Sequence, residues 1–209
     1  MSRKKSILTA VVLLLVILVG GMLAYFTDTE VRTNVFTIGD VKITLNEAGW
    51  TNTTGTNYTR TEANNIAPGK TVAKNPTVKN IGTNGAGNDA YVFLKVTVPY
   101  ANVTVGGTKA NQDIYTLDSL NTTKWTELTI SGVTGNGVHV YAYGTSSAMT
   151  ALSYNNSTEA LFTSVTLKNL DDPSELGSHS PNITLKAYGI QTTDLEVTTP
   201  SAIFGLFNE

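Results

Sequence analysis

Short apolar runs with a period of two recur along the chain, separated by clusters of Gly, Asn, Pro and Thr. Val41, Ile43 and Leu45 alternate with Lys42 and Thr44, the pattern of a half-buried strand. Residues 71–80 predict a second strand, and Pro76 inside it demands an edge position or a bulge. Residues 90–98 form the strongest β run. Tyr91, Phe93 and Lys95 fall on one of its faces, and Val92, Leu94, Val96 and Val98 on the other. Residues 124–131, 137–144, 160–168 and 182–191 follow the same style, with turn clusters at 82–88, 106–107, 132–137 and 155–156. Segments 61–65 and 201–207 look faintly helical, and 49–65 reads as a polar loop. Roughly seven to nine strands at this spacing predict an all-β fold, a single β-sandwich or jelly roll. No period repeats, so solenoids and propellers are excluded.

The first residues break this pattern. Arg3, Lys4 and Lys5 precede an apolar run over 7–19, followed by Gly20, Gly21, Met22, Leu23 and Ala24. A basic start, an apolar middle and a small-residue end make a secretory signal. A permanent anchor is the alternative, because 6–26 is close to the ~20 residues a spanning helix needs. The shorter apolar part, the Gly pair and the small Ala24 favour removal. The expected cut lies between Ala24 and Tyr25. Met22 is larger than a small-residue cleavage pattern wants, and a cut after Gly21 also suits it.

Composition narrows the function. The chain has 209 residues and weighs 22.3 kDa, one sandwich-sized domain. Charged residues make up 14%, against roughly 25% in an average soluble domain. The polar surface therefore rests on 34 Thr and 19 Asn. Net charge is -2, with no basic cluster beyond residue 5, so nucleic acid is not expected as a partner. Removing residues 1–24 takes away three positive charges and leaves 11 positive against 16 negative, a net of -5.

Cysteine is absent, which removes disulfides, thiolate nucleophiles and Cys-based metal sites. The two histidines, His139 and His179, stand 40 residues apart and match no zinc motif. Asp171, Asp172 and Glu175 lie near His179, where a weak cation site is conceivable; a solvated loop is the simpler reading. No nucleophile elbow, phosphate loop or dinucleotide fingerprint occurs, and paired-carboxylate chemistry has no sequence signature to test. No catalytic, cofactor-binding or metal residue is therefore assigned, and no cofactor is expected. Asn-x-Ser/Thr triplets begin at Asn52, Asn57, Asn102, Asn121, Asn155, Asn156 and Asn182. They matter only in a host with the glycosyl transferase.

Ala24-Tyr25-Phe26-Thr27-Asp28, then Asn34-Val35-Phe36-Thr37-Ile38-Gly39 before an alternating strand, resembles the start of the exported TasA/camelysin (CalY) family. Ile66-Ala67-Pro68-Gly69-Lys70 followed by VKNIG is similar to that family's I-x-P-G turn and V-x-N-x-G strand. AYVFLKV, LFTSVTL and ITLKAYGIQ are similar to its later core strands. The matches run from residue 20 to residue 191. The resemblance implies a jelly-roll subunit that polymerises into extracellular fibres of a biofilm matrix, its mature N-terminal segment serving as donor strand for the next subunit. It also implies export through a SipW-type signal peptidase.

The expected organisation is a signal over 1–24, a donor-strand segment over 25–39 and a jelly-roll domain over 40–209. Tyr25, Phe26, Val31, Val35 and Phe36 are the candidate donor residues. Phe26 and Val31 differ in parity, so a bulge or partial insertion is expected. The expected partners are further copies of the chain and the signal peptidase, with only transient membrane contact through the signal. The expected location is secreted, in the extracellular matrix or at the cell surface. Two other functions compete: a camelysin-type secreted metalloprotease, and a monomeric carbohydrate- or surface-binding sandwich using Tyr141 and Tyr143. An N-terminal segment that pairs within its own chain is the plain alternative to a donor strand.

Overall fold

The computed structural model describes residues 41–54, 57–59, 63, 66–82, 89–176 and 182–207, together with the strand 35–38. Fourteen strands occur among them. In chain order they are β1 (Val35–Ile38), β2 (Ile43–Glu47), β3 (Thr51–Thr54), β4 (Asn57–Thr59), β5 (Thr71–Ala73), β6 (Pro76–Asn80) and β7 (Ala90–Thr97). Then come β8 (Tyr100–Val105), β9 (Thr108–Asp113), β10 (Tyr115–Asp118), β11 (Trp125–Leu128), β12 (Val138–Tyr143), β13 (Ser164–Leu167) and β14 (Thr184–Gln191). A short helix, α1 (Pro200–Phe204), follows near the end. The fold is an all-β sandwich, as the apolar periodicity predicts.

A five-stranded sheet in the order β1-β14-β7-β12-β11 forms one layer. All of its pairings are antiparallel except β1 on β14, which is parallel. The other layer is assembled from a three-stranded sheet, β10-β13-β5, and the pair β2-β6. Val92, Leu94 and Val96 of β7, Tyr141 and Tyr143 of β12 and Leu185 of β14 share one core with Ile43, Val78 and Val165 of that second layer. Gly189 sets how closely the layers approach: a Cβ there would stand 2.9 Å from Ile43 Cγ2 and 3.3 Å from Val41 Cγ1.

The opposite face of the five-stranded sheet is also covered. Phe93, Leu128, Val140, Ala142, Tyr188 and Ile190 form a second core with Ile203 and Phe204 of α1. Burial on both faces explains why β7 is apolar at every position but Lys95 and Thr97. Thr199 caps α1 by accepting a hydrogen bond from the Ala202 N–H at 3.4 Å, and Pro200 opens its first turn. The helix expected over 201–207 is thus present as α1 plus a 3-10 turn, Gly205–Phe207.

Two local expectations are corrected, and one strand pair appears where the sequence suggested only a turn. The strand expected over 71–80 divides at Lys74 and Asn75 into β5 and β6, which belong to different sheets. Pro76 stands as the first residue of β6, where its missing N–H costs no ladder bond. The polar stretch 49–65, expected as loop, contains the β3-β4 pair. The segment 100–113 holds a hairpin, β8-β9, closed by Gly106 (φ +56°) and Gly107 (φ +78°), a two-residue turn with positive φ at both positions.

Candidate functional site

Two places in the sandwich carry more than packing: the outer edge of β14, and a carboxylate–imidazole cluster at one end of β12. At the first, β14 pairs with β7 along its whole length, Thr184 opposite Thr97 through Gln191 opposite Ala90. Its other side meets β1 over only four positions: Val35 opposite Ala187, Phe36 opposite Tyr188, Thr37 opposite Gly189 and Ile38 opposite Ile190. Those four positions span half of the eight-residue strand. Of the candidate donor residues, Val35 and Phe36 therefore lie in β1, on the sheet of their own chain. Tyr25, Phe26 and Val31 lie outside the described residues, as does the expected cleavage site at Ala24 and Tyr25.

The second place is built by three strands. His139 opens outward from β12, with its Nδ1 2.8 Å from Glu127 Oε1 on neighbouring β11 and its Nε2 2.8 Å from Asp113 Oδ2 at the end of β9. Gly137 makes the approach possible. A Cβ there would collide with the Val98 carbonyl oxygen and stand 3.4 Å from Asp113 Oδ1. Hydrogen bonding to both carboxylates requires a proton on each ring nitrogen, the imidazolium form. Burial opposes that charge, but the two hydrogen bonds and the two negative charges outweigh it and raise the pKa above the usual histidine range. Tyr141 lies stacked beside the ring, 6.4 Å between centroids, and burial followed by the same carboxylates pushes its phenol up as well.

The acids expected near His179 are already occupied. Asp171 accepts from the backbone N–H groups of Gly106 at 3.1 Å and Gly107 at 2.7 Å. Glu175 accepts from the Thr104 N–H at 2.6 Å and from Lys109 Nζ at 2.8 Å, and Lys109 is the main cause of its lowered pKa. These contacts clamp the tip of the β8-β9 hairpin, so the carboxylates serve the fold. His179 itself lies outside the described residues. Tyr141 and Tyr143 are 3% and 8% exposed, and the Tyr143 ring packs edge-on against Trp125 at 5.0 Å. They belong to the core, which withdraws the aromatic patch offered for carbohydrate binding.

A family model described as camelysin metallo-endopeptidase matches residues 3–126, more than half of the chain. The chain belongs to the camelysin family. No curated protein and no solved structure gives a match. The camelysin description implies a metal, and the described residues do not fit one. Among them no three His, Cys, Asp or Glu side chains converge as a ligand set. In the His139 cluster the carboxylates flank opposite edges of the imidazole, and each ring nitrogen is turned to a carboxylate oxygen instead of to a shared point. The camelysin-matched span itself contains no His and no Cys, since both histidines follow residue 126. Sequence reasoning missed the Asp113–His139–Glu127 cluster, whose members stand 26 and 12 residues apart and share no spacing motif.

Proposed function

We propose that this camelysin-family chain is an exported structural subunit whose copies join head to tail into extracellular fibres, the N-terminal strand of one copy completing the sheet of the next. The observation that carries this reading is the β1–β14 pairing. A four-residue parallel strand lies at the edge of a sheet that is otherwise antiparallel, and it lies just beyond the expected signal. Parallel neighbours need a crossover or a separate chain segment, so β1 reaches its place from outside the local hairpin connectivity. A short terminal edge strand is also the part of a sheet most readily exchanged between copies.

Exchange of this kind replaces each within-chain pair by an identical between-chain pair. The balance is then set by concentration and by strain in the connection to β2, not by new contacts. The relation is heterologous and does not close, so it propagates a filament. While residues 1–24 remain attached, the donor segment is tethered to the membrane, and removal of the signal gates assembly. The reading is tested by electron microscopy of mature protein beside a variant lacking residues 25–36. The mature chain is expected to lengthen into filaments, and the shortened chain to stay folded and monomeric. Equal polymerisation of the two would reject the donor strand.

A further inference from the structure

The C-terminal stretch was without a role in the sequence, and its packing supplies one. Leu195 and Val197 lie half-buried against the outer core of the five-stranded sheet, and Ile203 and Phe204 are each 1% exposed there. The aromatic contacts of this stretch fall on two strands. Phe204 lies 5.4 Å from Phe93 of β7 and 5.2 Å from Tyr188 of β14. Phe207 lies 5.9 Å from Phe93 and 5.1 Å from Tyr188, and the two phenylalanine rings are 5.7 Å apart. Tyr188 is thus covered by two rings from the tail, and it is also the β14 residue that faces Phe36 in the β1 register. Beside them Leu206 stays 37% exposed, an apolar rim on the same turn.

We infer that residues 195–207 roof the strand-acceptor edge and hold its occupant in place, that occupant in the fibre being β1 of a second copy of this chain. The identity of the occupant rests on the function proposed above; the roof rests on the ring contacts. Phe207 acts through Tyr188 as a positioning residue. The edge-on Phe204 ring and the tilted Phe207 ring fix the Tyr188 side chain, and with it the stretch of β14 backbone on which β1 is hydrogen-bonded. Loosening that stretch shortens the lifetime of strand pairing, the quantity through which most contacts of an interface act.

The test is amide hydrogen exchange on the mature chain and on Phe207→Ala. Loss of one aromatic contact is expected to speed exchange at residues 35–38 about tenfold, while β11 and β12 exchange as in the parent. Unchanged exchange at 35–38, or an equal acceleration in every strand, overturns the roof. Should Phe207→Ala fail to fold, Phe207→Leu is read in the same way, with a smaller acceleration confined to 35–38 expected and no local acceleration overturning the inference. The occupant is tested apart from the roof by mixing Val35→Cys and Ala187→Cys chains under oxidising conditions. A disulfide between the two chains supports it, and filaments without one reject the second-copy occupant and the proposed function together.

Discussion

His139 carries a charge that the surrounding fold has to keep. Both ring nitrogens donate to carboxylates at 2.8 Å, so the ring ties β9, β11 and β12 only while it is protonated. Asp113 and Glu127 are the anions that face it, with Tyr141 stacked alongside and Tyr100 bordering the same shallow cleft. Because the folded pKa is raised above the unfolded value of about 6.5, the stabilisation is complete below that value. It is lost as the pH rises through the folded pKa. Melting temperature is therefore expected to fall as the pH rises above about 6.5. In His139→Gln that slope flattens, because a carboxamide does not titrate in this range. Below about pH 6.5 the substitution is expected to cost about 1–2 kcal/mol, the charged hydrogen bonds being discounted for a side chain that is 26% exposed. An unchanged pH slope in the variant would show that the imidazolium does not hold these strands. The strand around His139 was legible from the alternation of VHVYAY, but the partners were not, since nothing local ties position 139 to positions 113 and 127.

Among the elements, those with an apolar period of two were the legible ones. β7, β11, β12 and β14 lie where the alternation places them, and the faces of β7 divide as its odd and even residues predict, one to each core. β9 was not legible, because Thr108 to Ala110 are exposed and the strand has almost no apolar member; its signal was the Gly106-Gly107 turn alone. The tail was read as faintly helical but without a destination, since Ile203, Phe204 and Phe207 find their partners on β7 and β14 more than one element away. Gly189 shows how one small residue governs the meeting of elements. In Gly189→Ala the added methyl enters the space of Ile43 Cγ2, a branch methyl close to its own backbone with little room to swing aside. The gain in strand propensity is smaller than the crowding, so a net loss of about 1–2 kcal/mol is expected, read as a lower denaturant midpoint. A variant as stable as the parent would mean that the layers separate more easily than this contact implies.

For the whole molecule, membership of the camelysin family was legible from the ordered motifs between residues 24 and 96, which fall inside the matched span 3–126, whereas the similar strands at 161–167 and 183–191 lie beyond it; the all-β sandwich was legible from the apolar alternation. The peptidase chemistry in the family's description finds no ligand set among the described residues, and the matched span offers neither His nor Cys. The sheet edge on which the proposed function rests is the parallel pairing of β1 with β14 at four described positions, and residues 204 and 207 pack over Tyr188 on that strand. Because the chain has no cysteine, that edge can be interrogated without background. Val35→Cys and Ala187→Cys, placed opposite each other in the register, are made in separate chains, mixed, allowed to assemble and oxidised. A covalent dimer joining one chain of each kind is expected, abundant in the filament fraction. Filaments that contain no such dimer, while the two substitutions combined in one chain close an internal disulfide, would contradict it.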